Sequence, residues 1–165
     1  MTDHTGPLSP SPLIRPAEPA DAETVVALIH RAFAQYRDQL APPSGALAES
    51  AQTITSLMQR GKVLLAKVEG IAVGCVAVED RGEYAYVGRL AVEPSARGRK
   101  LGLALMDAAE TEARLMGAQR LRADCRLSLA ENRAFFQALG FVEGAHRCHA
   151  GFASPTYVEL EKVLV

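Results

Sequence analysis

Between Tyr84 and Leu105 the chain changes its period, and this change constrains the fold more than any other stretch. Residues 83–92 are rich in Tyr, Val and Leu, which suit a pleated, half-buried strand. Pro94 removes a backbone donor and restricts Glu93, so the strand stops there. From Leu101 apolar residues return at helical spacing, at Leu101, Ala104, Leu105, Ala108 and Leu115, with Gly117 as a helix stop. The joint holds Gly98, Gly102 and three cations, Arg97, Arg99 and Lys100. A helix start carries N–H groups without partners and the positive end of the macrodipole. Glycine lets an anion approach the backbone there. Residues 97–103 therefore read as a cradle for a di- or polyphosphate. The competing reading is a plain strand–helix connection with a solvated basic face.

The rest of the chain supplies the elements around this joint. Leu13-Ile14-Arg15 reads as a first strand, ended by Pro16 and Pro19. Asp21 suits a helix N-cap. Val25, Leu28, Ile29, Ala32, Phe33 and Tyr36 then fall on one face of an amphipathic helix. A loop through Pro42 and Pro43 leads to a second helix over residues 46–60, with Leu47, Ile54, Leu57 and Met58 as its apolar set. Residues 63–68 and 71–78 are β-branched runs around Glu69-Gly70, a hairpin signal, and Asp80-Arg81-Gly82 turns into strand 83–92. Residues 120–125 form another strand. Ser128 and Glu131 have capping-box spacing before a helix at 129–139, stopped by Gly140. Strands at Phe141 onward and at 156–163 complete the order. Strands and helices in this order predict an α+β fold, a mixed sheet with helices on its faces. Strands 83–92 and 120–125, joined through a helix, are expected as parallel neighbours.

Composition bounds the function. The 165 residues fit one domain over 13–165, preceded by a flexible arm over 1–12 with Gly6, Pro7, Pro10 and Pro12. A net charge of −1 argues against a broad nucleic-acid surface and leaves the basic character local. Three cysteines, Cys75, Cys125 and Cys148, lack paired metal spacing and read as free thiols in a reducing compartment. No apolar run approaches the ~18 residues of a membrane span, and Met1–Pro12 has no signal-peptide pattern, so a cytoplasmic location is expected.

Three segments carry a further pattern. Leu90-Ala91-Val92-Glu93-Pro94 precedes Arg97-Gly98-Arg99-Lys100-Leu101-Gly102, and Glu131-Asn132-Arg133-Ala134-Phe135-Phe136-Gln137-Ala138-Leu139-Gly140-Phe141 follows at a distance. In these segments the chain resembles the GNAT superfamily of N-acetyltransferases. The resemblance implies a mainly antiparallel sheet of about seven strands flanked by about four helices. It implies acetyl-CoA as co-substrate, no metal, and direct attack on the thioester by a primary amine of a small molecule or protein. Strand 83–92 would splay from its parallel neighbour at a bulge, and Leu90, Ala91 and Val92 would run beside the pantetheine. The Leu90 N–H would face the acetyl oxygen. Residues Arg97, Gly98, Arg99, Lys100, Leu101, Gly102 and Leu103 would hold the pyrophosphate, with Asn132, Phe135 and Phe136 also on the coenzyme. The competing reading of Asn132 is a water-facing first-turn residue, and Arg133 reads equally as reaching the ribose phosphate or as solvated. Family habit points to a homodimer.

The sequence departs from the family twice. Lys100 stands where the family has a glycine, and Phe136 stands where many relatives carry the tyrosine that protonates the departing thiolate. An alkyl ammonium with a pKa of about 10.4 must also lose a proton before it attacks. Relatives often use a carboxylate on strand 83–92, but here that strand offers only Glu83 at its start and Glu93 at its end. Glu83 is a candidate base, against a hairpin-end surface carboxylate, and Tyr86 a candidate holder of a water, against a packed core tyrosine. His146 and His149 flank Cys148, but strand alternation puts the two imidazoles on opposite faces, which argues against a metal. The resemblance makes the region after Phe141 an acceptor wall, and segments 36–50 and 145–156 are expected to form the walls, so Tyr36, His146 and His149 are candidate acceptor contacts. His30 and Cys125 read as structural. The leading alternative is a non-catalytic acyl-CoA-binding sensor or adaptor with this fold, favoured by Phe136 and the missing mid-strand carboxylate. An unrelated nucleotide binder lacks the Gly-Lys-Ser/Thr it would need.

Overall fold

The apolar pattern resolves into seven strands and four helices in a computed structural model, which describes residues 10–164. The expected arm over 1–12 lies largely outside the described residues. The elements are β1 (Leu13–Pro16), α1 (Ala22–Phe33), α2 (Ala51–Arg60), β2 (Gly61–Val68), β3 (Ile71–Asp80), β4 (Tyr84–Val92), α3 (Leu101–Leu115), β5 (Arg120–Arg126), α4 (Ala130–Ala138), β6 (Val142–Arg147) and β7 (Tyr157–Val163). They form one sheet in the order β1-β2-β3-β4-β5-β7-β6. All neighbours are antiparallel except β4 and β5, which α3 connects as parallel strands. The mixed, mainly antiparallel sheet expected from the sequence is what forms.

Strand alternation sorts the apolar side chains into two cores. Leu64, Val76, Val78, Val87, Leu121 and Leu160 face α3, where Leu105, Met106 and Ala109 meet them. Val63, Leu65, Cys75 and Ala77 face the other way, against Val25, Leu28 and Ile29 of α1 and Ile54 of α2.

Local details differ from the sequence expectations at three helix starts. Asp21 stands at the N-cap of α1, but its side chain bonds no N–H of that helix; its carboxylate accepts from the Glu18 N–H at 2.8 Å and pairs with Arg15 at 2.9 and 3.2 Å. The second helix is split: residues 45–48 form a 3-10 turn, and α2 begins only after Ser50, capped by reciprocal Ser50–Thr53 bonds of 3.2 and 2.9 Å. The Ser128–Glu131 capping box is absent. A turn closed by Leu129 N–H on the Arg126 carbonyl, at 3.1 Å, makes Leu129 the N-cap and leaves Glu131 one place short of the position a capping box needs. Helix α1 ends at Phe33, so Tyr36 sits at the end of a 3-10 turn beyond it.

Two irregularities of β4 position the site. Against β3, Cys75 pairs with Ala91 and Ala77 with Gly88, so Arg89 and Leu90 together oppose Val76. This is a β-bulge, and Arg89 takes the left-handed conformation at φ 54°. Against β5, pairing covers only Tyr84–Tyr86 and Arg120–Arg122, although β4 runs to Val92 and β5 to Arg126.

Candidate acetyl-transfer site

The end of β4–β5 pairing opens a cleft of about 1260 Å³ between Tyr86–Val92 on one side and Ala123–Arg126 on the other. The bulge is tied down from outside the sheet, because Arg89 Nε donates to Glu49 Oε1 at 2.8 Å. The strand edges facing this gap have lost their neighbour, so an extended ligand carrying amides can pair with them as an added strand would.

The basic joint closes one end of the cleft. Lys100 has φ 59° and directly precedes α3. That explains the family's glycine at this place: the chain needs a left-handed residue, and Lys100 supplies it at a cost of about 1 kcal/mol. The first N–H with an intrahelical acceptor is Ala104, on the Lys100 carbonyl at 3.1 Å. Leu101, Gly102 and Leu103 therefore present N–H groups without helical partners. A Cβ on Gly102 would meet only the Phe135 ring, at 3.5 Å, so packing within the chain does not demand glycine there. Room beside exposed N–H groups at the start of a 15-residue helix fits a pyrophosphate. The three cations differ. Lys100 lines the cleft, Arg97 lines it while donating to Gln35 Oε1 at 3.2 Å and the Ala32 carbonyl at 3.0 Å, and Arg99 is exposed outside the lining.

The other end is polar. The Tyr86 hydroxyl donates to Asp124 Oδ2 at 3.0 Å. Burial, then the Asp124 charge, pushes the Tyr86 phenol above its usual range and keeps it a donor. Burial raises the Asp124 carboxyl above 3.8, and the Tyr86 hydrogen bond opposes the rise. His149 lies beyond the end of β6, its N–H donating to Thr156 Oγ1 at 2.9 Å and its ring 4.8 Å from that of Tyr157. Burial and the nearby Arg126 lower its pKa from 6.5. Arg126 Nη2 donates to the Pro43 carbonyl at 3.2 Å.

Most of the residues singled out from the sequence meet here. Tyr36, Tyr86, Leu90, Ala91, Val92, Arg97, Gly98, Lys100, Leu101, Gly102, Leu103, Asn132, Phe135, Phe136 and His149 all line the one cleft. Glu83 and His146 do not. Glu83 is exposed just before β4, at the strand end remote from the bulge. His146 pairs with Val158, a residue of the α3-facing core, so it belongs to the opposite face from Tyr157. Arg133 is held by Glu143 at 2.7 and 2.8 Å and does not line the cleft. His30 bonds the Glu49 carbonyl at 3.0 Å. The buried Cys125 thiol is pushed up to about 11 by burial, which suits packing and not nucleophilic attack. Sequence reading missed Asp124, Arg126 and Tyr157. The signal was the alternation of Leu121, Ala123 and Cys125 with Arg122, Asp124 and Arg126, which marks a polar strand face. Among the described residues no three His, Cys, Asp or Glu side chains are placed to hold a metal, and no helix is long and apolar enough to cross a membrane.

Comparison with known proteins agrees with this geometry. Residues 27–141 match the family described as acetyltransferase (GNAT) family, and the chain belongs to it. The IAA acetyltransferase of Azospirillum brasilense is 33% identical over 84 residues, covering 50% of this chain and 55% of the relative. The match thus spans about half the length of that curated relative. Among solved structures, Ard1 from Thermoplasma volcanium superposes with a TM-score of 0.77 at 21% identity, over 93% of this chain and 98% of its own. The PaiA N-acetyltransferase of Thermoplasma acidophilum, solved in complex with coenzyme A, gives 0.77 at 18% identity, over 93% and 99%. These likenesses show the shared fold.

Proposed function

We propose that this chain transfers the acetyl group of acetyl-CoA to a primary amine by direct attack of the amine on the thioester. One observation carries the reading: a single cleft joins the unpaired β4 edge, the N–H groups of the first turn of α3 that have no helical partner, and a carboxylate at the far end. Acetyl-CoA, when bound, supplies an activated thioester carbonyl. Backbone groups of Leu90 and Val92 would pair with the pantetheine amides, and the Leu90 N–H would meet the oxygen as its charge develops. Gly98 to Leu103, with Lys100, would hold the pyrophosphate, and Asn132, Phe135 and Phe136 would line the coenzyme's other side.

Asp124 is the base in this reading. It lines the cleft on β5, two residues past the last β4 pair, and its raised pKa improves it as a proton acceptor. Tyr86 is the positioning residue that holds it. The ammonium first gives a proton to Asp124, which releases it to solvent; as the N–C bond forms and the C–S bond breaks, the nitrogen's second proton passes to Asp124 and the thiolate takes one from a donor that solvent reprotonates. Tyr36 offers the hydroxyl that Phe136 lacks. It receives a 3.4 Å hydrogen bond from Asn132, one helical turn from Phe136. The free thiols of Cys75, Cys125 and Cys148 support a cytoplasmic setting.

The test is a thermal-shift titration with acetyl-CoA, CoA and ATP, followed by a free-thiol assay across primary amines. Stabilisation by both coenzyme forms and amine-dependent thiol release are expected. Stabilisation without release under any amine would replace the reading with a coenzyme-binding adaptor. A response to ATP alone would replace it with a nucleotide binder.

A further inference from the structure

We infer that the acceptor is a free amino acid or a short amino-carboxylate, its ammonium met by Asp124 and its carboxylate by Arg126. The inference rests on the acetyl-transfer reading for which nitrogen reacts, and goes beyond it in naming the acceptor's second charge.

Asp124 and Arg126 lie two residues apart on β5 and both line the cleft. Strand alternation puts them on one face, with their Cα atoms about 7 Å apart along the strand. Asp124 uses Oδ2 for Tyr86 and keeps its other oxygen for a cation. Arg126 is the unusual member of the pair. On the same half of the sheet, Arg120 and Arg122 are paired with Glu161 and Arg147 with Glu159, and Arg133 of the adjoining α4 is paired with Glu143. Among the described residues Arg126 has no carboxylate within 4.0 Å; its recorded contact is one Nη2 bond to the Pro43 carbonyl. A half-buried guanidinium without a counter-ion is costly to keep, and its planar fork of donors matches a carboxylate. A positive and a negative group, side by side on one cleft wall, complement a zwitterion of opposite order. The rings of Tyr157 and His149, 4.8 Å apart, also line this end and add apolar surface for a side chain. A peptide N-terminus places an amide where this arrangement offers Arg126, so it fits less well.

The test compares amino acids with partners that lack the carboxylate: alanine and β-alanine against alaninamide and ethylamine, then the standard amino acids. With acetyl-CoA saturating, kcat/KM for the best acid should exceed that of its amide at least about tenfold. Arg126→Gln keeps a donor for the Pro43 carbonyl and removes the charge; it should abolish that preference through KM, and Arg126→Lys should restore part of it. Retained thermal stabilisation by CoA shows that each variant is folded. A second readout is calorimetric titration of the best acid, or of alanine if none turns over, into the CoA-loaded protein. Equal use of acid and amide, preference for peptide N-termini, or a preference that survives Arg126→Gln would each overturn the inference. Binding that depends on Arg126, without turnover of any amine, would support the zwitterion site and overturn the transfer reading. Absence of both binding and turnover would overturn the inference itself.

Discussion

The two halves of the sheet that meet at β4 are buried in different ways. In β2 and β3 burial is continuous, over Val63–Ala66 and Gly74–Glu79, because α1 and α2 lie on one face and α3 on the other. In β5 and β7 it alternates: Leu121, Ala123, Cys125, Val158 and Leu160 are buried, while Arg122, Glu159 and Glu161 keep contact with water. The first pattern is that of strands covered twice, the second of strands covered once. The covered half gives a rigid frame, and the half-covered one leaves a face on which charged groups survive. The cleft lies on the seam and takes its backbone edge from one half and its carboxylate from the other.

The contrast predicts unequal costs. Leu65→Ala, in the twice-covered half, should lower unfolding free energy by about 2–5 kcal/mol in urea melts, since the residue is fully buried. A cost below 1 kcal/mol would mean the frame is looser than its packing. Asp124→Asn should lower kcat/KM for acetyl transfer about 100-fold and yet raise stability at pH 7. The sign follows from linkage: a carboxyl whose folded pKa is raised contributes its stability at low pH and loses it as pH rises through that pKa. The variant has no such loss, so its advantage should appear only above about pH 4. A destabilised variant at pH 7 would show that Asp124 is structural. Lys100→Gly should stabilise the fold by about 1 kcal/mol, by relieving the left-handed backbone. It should also weaken CoA binding by about fivefold, through the lost charge.

Asp21 sets the opposite sign in the covered half. The Arg15 side-chain hydrogen bond, helped by the Glu18 N–H, holds its carboxyl down at about 2. The stability it adds is present above its ordinary value of 3.8 and lost as pH falls toward 2. The difference between wild type and Asp21→Asn should therefore be constant near neutrality and vanish across that acid window. The smallest effect belongs to the half-covered face. Arg122→Ala should leave the urea midpoint almost unchanged, because the ion pair it breaks with Glu161 is solvated.

How far the sequence could be read follows the same division. The strand–turn–helix joint, the hairpin at Glu69-Gly70, and the parallel pairing of β4 with β5 were legible, because each depends on local period and on glycine or proline. So was the end of the cleft at the strand–helix joint, because residues 90–103 are close neighbours in the chain. The polar end was not. Tyr86 and Asp124 stand 38 residues apart, and only the crossover through α3 brings them into contact. A search for a base confined to strand 83–92 reached Glu83 and could not reach the strand beside it. His146 failed for a related reason: the register of β6 on β7 decides its face, and no local spacing encodes that register. The misplaced cap at Ser128 shows how one extra turn residue shifts a helix start that spacing alone put a step too early.

Parting β4 from β5 leaves an edge inside the sheet, where neither rim loops nor charged side chains can blunt it as they do at an outer border. An extended ligand carrying amides can pair with that edge as a neighbouring strand would. Any occupant that supplies a ladder of amides therefore acts as a missing eighth strand and completes the architecture. Molecules kept without one should be more prone to self-association, and their shelf life should lengthen with the supply of that occupant.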